Sequence, residues 1–401
     1  MKRTRSSSPG ISSPKHRKPV GRTAGLTYEN LREHNQITPP LSQFAVVDMM
    51  TERIGGLSDV PIIPPPSTRS SQRSRSSSPS RVSDAQYRAG HLRRANIFVD
   101  EDTPTDVREY ATDIFTSMTD ENSETLQRVS DKLWRKCKEL VRRPSGEAEW
   151  TEALHTAIDE LRPAGLEIVR NRDWSGDLKP PVYNPRPTIP RKRSQPHQLI
   201  QNDAHIESTY VAGPTVPIFK LKDPRPDICV GLSDESLTNA LERTKGRSAA
   251  RSFLFDLQDT STLISDPHAT PLSLRFPFLV VEAKSGATGG NLYQAQNQAA
   301  VSGSSALRIF QSLSDLHAQR LDTEAQASLN LVVSITTEGP IQEFWLHFQR
   351  HKEEDFYMVC IGSSRTTLKD SSLEFVRRLS AVLRWGNSIL RERILDMLEE
   401  I

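Results

Sequence analysis

The stretch FPFLVVEAKSG, residues 276–286, joins an apolar run to two opposite charges. Residues 278–281 are large and apolar, as in a strand that fills a core. Glu282 and Lys284 follow with one residue between them, so on a strand both side chains project from the same face. The fold and the function both depend on why these charges stand where the strand ends.

A second strand, PDICVGL (226–232), begins with an acidic residue, Asp227. We expect residues from about 145 to 364 to share one sheet in which these two strands are neighbours, so that Asp227 and Glu282 converge on one cation. Two carboxylates, the backbone carbonyl of Ala283 and waters suit Mg²⁺ or Mn²⁺, which prefer oxygen ligands. Such a cation polarises a phosphoryl oxygen and lowers the pKa of a bound water. Lys284 would orient that water and stabilise charge on the scissile phosphate.

Simpler interpretations compete with this one. The spacing of Glu282 and Lys284 is common, and a surface salt bridge at the end of a strand explains most instances. His155 is more typical of a packing residue than of a general base. The tryptophans Trp150, Trp345 and Trp385 are typical of a core rather than of base-stacking platforms. The basic run RPTIPRKRS (186–194) either tracks a phosphate backbone or is a solvated loop.

The remaining pattern from residue 84 to residue 401 predicts one α/β domain with a mixed central sheet flanked by helices. The predicted helices are 123–143, 145–163 with Ser145 as N-cap, about 234–248, 291–313 and 371–400. The predicted strands are 166–171, 226–232, 276–284, 329–339, 341–349 and 355–364.

The first part of the chain has a different composition. Only 35% of the 401 residues are hydrophobic and 27 are proline, and residues 1–83 are dominated by Ser, Arg and Pro. Such a segment buries too little apolar surface to offset the entropy of ordering, so we expect a disordered tail. LSQFAVVDMM (41–50) is an exception, apolar enough to dock on the domain or on a partner. The Lys/Arg clusters at 2–5 and 15–18 are either a nuclear import signal or a solvated tail.

Composition also limits the class of protein. The three cysteines are far apart and form no CxxC pair, which argues against a disulfide framework and a structural zinc site. The basic N-terminus lacks the apolar segment of a signal peptide, and no apolar run reaches the length of a membrane span. We therefore expect a soluble, intracellular protein that acts without a membrane.

Several of these segments together resemble the PD-(D/E)XK nuclease superfamily. More closely, the chain is similar to the nuclease-like domain found in many fungal proteins. The segments that carry the resemblance are LRRANIFVD (92–100), EAEWTEALH (147–155), PDICVGLSDES (226–236), FLVVEAKS (278–285), NLYQAQNQAA (291–300) and RWGNSILRERI (384–394). The resemblance implies a restriction-endonuclease-like core.

The resemblance also implies roles for single residues. Asp227 and Glu282 would bind the metal and Lys284 would serve the nucleophile. A glutamate on the helix before the core strands often completes such a site, and Glu149 matches this position best, with Glu152 as second choice.

On the helix that follows the core strand, a glutamine commonly supports the metal site or contacts nucleic acid. Gln294 and Gln298 are the candidates because they lie one turn apart on one face, whereas Gln296 points elsewhere. Of the two, Gln298 is also a candidate for the catalytic set.

The sequence therefore predicts a Mg²⁺-dependent phosphodiesterase acting on nucleic acid, with DNA favoured over RNA. The alternative is a catalytically inactive module that kept the fold and binds nucleic acid or protein. A third hypothesis, a scaffold regulated by phosphorylation of the tail, accounts for the tail but not for the charges at Glu282 and Lys284. A cleavage assay beside Lys284→Ala separates the first hypothesis from the other two.

Overall fold

The computed structural model describes residues 82–117, 123–184, 218–322, 330–350 and 354–401. All of them belong to one unit, Ser77–Ile401. The predictions for the N-terminal tail through residue 81, for LSQFAVVDMM and for the basic run 186–194 lie outside the described residues.

The described strands form one mixed sheet in the order β1-β7-β6-β5-β4-β3-β2. The strands are β1 Ile97–Val99, β2 Leu166–Arg170, β3 Ile228–Ser233, β4 Leu274–Lys284, β5 Leu331–Glu338, β6 Ile341–Gln349 and β7 Phe356–Arg365. The β1–β7 and β4–β5 pairs are parallel and the other pairs are antiparallel. The predicted α/β fold with a mixed central sheet is confirmed.

Helices cover the sheet. The α-helices are α1 Asp84–Gln86, α2 Thr105–Ser117, α3 Ser123–Leu140, α4 Glu147–Leu161, α5 Asp234–Lys245, α6 Arg247–Asp259, α7 Leu292–Leu321, α8 Lys369–Trp385 and α9 Arg391–Glu400. Two π-helical turns, Tyr87–Leu92 and Gly386–Leu390, and two 3₁₀ turns, Gly176–Leu178 and Gly286–Thr288, complete the described elements. Among these helices, none combines the length and the apolar character that crossing a bilayer requires.

Strand β4 lies inside the sheet, and all 11 of its residues are buried. Its apolar run is continuous rather than alternating, because a strand covered on both faces has no solvent side. β4 and β5 are parallel, so the chain must cross over between them, and the 30-residue helix α7 makes that connection.

Helix α7 lies close to the sheet because small residues face it. Gly303 shows how close: a Cβ there would sit 2.3 Å from Nδ1 of the His347 ring on β6. Just before the start of α7, a Cβ added to Gly290 would sit 3.0 Å from Cβ of Lys284, so the helix begins beside the end of β4 that carries Glu282 and Lys284. This packing places Gln294 and Gln298 near those charges.

Three predicted boundaries need correction. The single helix expected at about 234–248 is two helices, because Gly246 adopts a φ of 78° between α5 and α6. The N-cap of α4 is Gly146 and not Ser145, whose hydroxyl donates to the Leu140 carbonyl instead. The terminal helix contains the π-helical turn Gly386–Leu390. The three tryptophans singled out by the sequence are buried, as predicted.

Candidate functional site

Strands β3 and β4 are antiparallel neighbours, with Ile228 opposite Val281. Asp227 immediately precedes β3, and its N–H donates to the Val281 carbonyl at 3.0 Å. Glu282 is the next residue on β4. The predicted adjacency of the two strands is thus confirmed, and it brings both acidic residues to the same end of the sheet.

The Asp227 carboxylate is fixed by its neighbour strand. Its Oδ2 accepts a hydrogen bond from the Ala283 N–H at 2.7 Å and lies 4.0 Å from Nζ of Lys284. The residue is 8% exposed. Burial raises the pKa of Asp227, while the Ala283 N–H and the Lys284 charge oppose that rise.

Glu282 is more deeply buried, at 2% exposed. Its Oε1 accepts a hydrogen bond from Oγ of Ser302 on α7 at 3.0 Å. Burial, and then the neighbouring Asp227 charge, raise the pKa of Glu282 well above its ordinary value. A pKa raised by burial together with a neighbouring carboxylate is typical of functional sites.

Lys284 is the nearest cation to the two acidic residues. Its Nζ donates to the Ala283 carbonyl at 2.7 Å and to Oε1 of Glu147 at 3.0 Å, and its side chain is 8% exposed. The ammonium is thus held between a backbone carbonyl and the first turn of α4. One ammonium faces three carboxylates, those of Asp227, Glu282 and Glu147.

Glu147 is a member of this cluster that the sequence did not single out. The sequence favoured Glu149 as the metal ligand from the helix, but the Oε2 of Glu149 accepts from the Gly146 N–H at 2.9 Å and caps α4. The second choice, Glu152, pairs with Arg170 at 2.8 Å. The structure therefore brings Glu147 to Lys284 and leaves the two predicted glutamates elsewhere. The sequence held no signal that favoured Glu147, because the choice among these glutamates depends on which face of α4 turns to β4.

A small recess opens between Glu282 and α7. It has a volume of about 70 Å³. Its lining residues include both predicted glutamines and are Asp84, Tyr87, Lys222, Asp223, Pro224, Arg225, Glu282, Gln294, Asn297, Gln298, Val301 and Ser302. We call this cavity the recess.

The three glutamines at the start of α7 have different surroundings, as their helical spacing predicts. Gln294 and Gln298 line the recess. Gln296 instead donates to Glu343 at 2.9 Å and accepts from Arg88 at 2.8 Å. The Oε1 atom of Gln298 is buried and has no hydrogen-bond partner. A buried acceptor without a donor is costly, and this one belongs to a residue that lines a cavity beside an acidic residue.

The donor set fits a hard divalent cation. Asp227 and Glu282 supply carboxylate oxygens, Gln298 an unused amide oxygen and Ala283 a carbonyl that Lys284 already uses on one side. Oxygen ligands of this kind suit Mg²⁺ and Mn²⁺, which retain waters in their coordination shell. In the described parts of the chain, no group of three or more His, Cys, Asp and Glu side chains forms a metal site from side chains alone. The cation would thus need carbonyl, amide or water ligands.

Comparison of the chain with curated proteins and with solved structures gives no significant match. A family model, described as a domain of unknown function (DUF7924), matches residues 120–398. These residues include both strands of the site and helix α7. By this match over most of its length, the chain belongs to the DUF7924 family.

Proposed function

We propose that this protein is a divalent-metal-dependent phosphodiesterase that hydrolyses nucleic acid. One observation carries the proposal: two buried carboxylates, Asp227 and Glu282, stand beside the buried ammonium of Lys284 where two core strands meet. Burying such a group of charges destabilises the fold, so a purely structural role is the weaker explanation.

Asp227 and Glu282 would hold Mg²⁺ or Mn²⁺, with the Ala283 carbonyl as a further oxygen ligand and Gln298 in support. When bound, the cation supplies Lewis-acid polarisation of the phosphoryl oxygen and lowers the pKa of the attacking water. Both carboxylates bind a cation in their ionised form. Because burial raises the pKa of Asp227 and of Glu282, metal binding should weaken as the pH falls and these groups take up protons.

Lys284 would act on the reacting groups. Two of its three N–H groups donate to Ala283 and Glu147, so the third can donate to the attacking water while the ammonium charge stabilises the phosphoryl oxygen on which charge develops. The water oxygen forms a bond to phosphorus and releases a proton to solvent, the ester P–O bond breaks, and the leaving oxygen takes up a proton from solvent. Glu147 accepts from the same ammonium at 3.0 Å, and in this mechanism it orients Lys284.

Nucleic acid is proposed as the substrate on the resemblance to PD-(D/E)XK nucleases, with DNA favoured over RNA. The first turns of α7 support this assignment, since Gln294 and Gln298 line the recess beside Glu282 and amide side chains hydrogen-bond bases and phosphates.

We propose an intracellular and nuclear place of action. The basic clusters at 2–5 and 15–18 have the composition of an import signal. A fluorescent fusion whose nuclear accumulation is lost when both clusters are changed to Ala would support this. An unchanged distribution would contradict it.

The test is cleavage of single- and double-stranded DNA and RNA in Mg²⁺, Mn²⁺ or EDTA. The parent should cleave at least one of these with a divalent metal and none in EDTA. Lys284→Ala should lower the rate by roughly 10²–10³-fold. Lys245→Ala, at the C-terminal end of α5, is the matched control and should cleave like the parent. Binding without cleavage of any substrate would favour the inactive module.

A further inference from the structure

The recess that contains Glu282 is partly covered. Residues 83–92, which include α1 and the π-helical turn after it, extend from α7 to residues 222–225, and we call them the roof segment. The Nδ2 of Asn297 donates to the Asp84 carbonyl at 2.9 Å. On the other side, the Lys222 N–H donates to the hydroxyl of Tyr87 at 3.0 Å. Asp84 and Tyr87 both line the recess.

The cover over the recess limits what can enter. Asp84 and Tyr87 of the roof segment line one side of the recess, and Lys222 and Arg225 line it as well. A strand that places a phosphate there must therefore curve around the roof segment.

A duplex resists that curvature because its persistence length is about 150 base pairs and its bases are stacked and paired. Taking one nucleotide out of the stack costs free energy, and an already unpaired strand avoids that cost. The covered recess thus favours a strand that is not paired.

The rim of the recess has the chemistry that binds unpaired strands. Lys222 and Arg225 line the recess and are exposed. Tyr293, directly before Gln294, is 39% exposed. The Arg88 guanidinium lies over its ring, 3.5 Å from the centroid, and so orders it. Cations beside an ordered, exposed aromatic ring are how proteins hold single strands without reading their sequence.

We propose that the site takes single-stranded nucleic acid, with a phosphate in the recess, Lys222 and Arg225 on the neighbouring phosphates, and a base stacked on Tyr293. The inference rests on the proposed function, because the phosphate in the recess is the one to be hydrolysed. It adds strand selectivity and the residues that produce it.

A binding measurement tests this inference independently of catalysis. The full chain carrying Lys284→Ala, which keeps both metal-binding carboxylates, is titrated in Mg²⁺ into a dye-labelled DNA oligonucleotide of about 20 nucleotides, longer than most single-strand sites. The same strand annealed to its complement is titrated in parallel. Fluorescence anisotropy should show the single strand binding at least about tenfold more tightly than the duplex.

Tyr293→Leu should weaken single-strand binding about tenfold and leave duplex binding unchanged. Phe255→Leu is the matched control, since Phe255 is 38% exposed on α6 and should have no effect. Asn297→Ala, which removes two of the hydrogen bonds that hold the roof segment on α7, should raise duplex binding and so reduce the preference.

Equal binding of strand and duplex, or equal losses in Tyr293→Leu and Phe255→Leu, would overturn the inference. An unchanged preference in Asn297→Ala would overturn the role of the roof segment. If the parent cleaves duplex and shows no strand preference, the inference of strand selectivity fails and the proposed nuclease activity stands. If the parent cleaves nothing but clearly prefers single strands, the nuclease activity fails and the strand selectivity stands.

Discussion

The N–H of Ala283 donates to Oδ2 of Asp227 at 2.7 Å, which ties the residue before β3 to the β4 strand that carries Glu282. Because the donor is a backbone group inside the sheet, the position of the Asp227 carboxylate follows from the fold itself. Glu282 is the residue before Ala283 on β4. The acidic pair is thus a consequence of strand pairing.

Changing Glu282 to Gln should stabilise the metal-free protein. The folded-state pKa of Glu282 is raised well above the ordinary 4.5. The contribution of Glu282 to the free energy of unfolding is therefore fully present below about pH 4.5. It is lost as the pH rises towards the raised pKa, by about 1.4 kcal/mol per pH unit. Gln keeps an acceptor for Ser302 and carries no charge. In urea unfolding with EDTA present, the free energy of unfolding of the variant should exceed that of the parent by an increasing amount as the pH rises through this window.

Gln311→Ala, at an exposed position of α7, changes no titratable group, so it is the control for that series and should show a constant difference from the parent across the same pH range. If Glu282→Gln also differed from the parent by a constant amount, the raised pKa of Glu282 would be contradicted.

Glu147→Gln and Glu149→Gln should show which of these two glutamates of α4 contributes to activity. Gln at position 149 can still cap the helix, so we expect activity to stay near that of the parent. At position 147 the change removes the charge that holds Lys284, and cleavage should fall by about tenfold or more. Because the Glu147 side chain is 39% exposed, the free energy of unfolding should change by less than about 1 kcal/mol.

Initial cleavage rates and urea midpoints of both variants, compared with those of the parent, show which glutamate contributes to activity. A larger loss of activity in Glu149→Gln would restore that residue as the ligand from the helix.

The sequence was sufficient to predict the central strands, because a continuous apolar run such as 278–281 specifies a buried strand. It also predicted that the strand beginning at Asp227 and the strand carrying Glu282 are neighbours. It failed at Gly246, where a φ of 78° ends one helix and starts another. Apolar periodicity continues on both sides of that glycine, so a periodic pattern alone does not show the break.

The site was predictable where residues lie on strands and less so where helices contribute. Glu147 and Glu149 differ by about 200° around a helix, and the choice between them depends on which face α4 turns to β4. The contact between the roof segment and α7 joins residues more than 200 positions apart, as in the Arg88–Asn297 hydrogen bond. No local pattern in the sequence encodes such a pair.

Gly303→Ala should destabilise the protein by about 1–3 kcal/mol, because the added Cβ would overlap the buried His347 ring. The ring has little room to move, since its Nε2 pairs with the Ser334 hydroxyl at 2.8 Å. Urea unfolding measures the change. Gln311→Ala, at an exposed position of the same helix, should stay within about 0.5 kcal/mol of the parent. A neutral Gly303→Ala would mean that α7 lies farther from β6 than described.

Calorimetric titration with Mn²⁺ tests the central claim, that Asp227 and Glu282 hold a divalent cation while Lys284 acts on the reacting groups. The parent should bind Mn²⁺, and Asp227→Ala and Glu282→Ala should each lose that binding while remaining folded. Lys284→Ala should bind Mn²⁺ as tightly as the parent or slightly more tightly, because it removes a nearby positive charge. The claim is contradicted if the parent binds no Mn²⁺, or if all three variants bind it as the parent does.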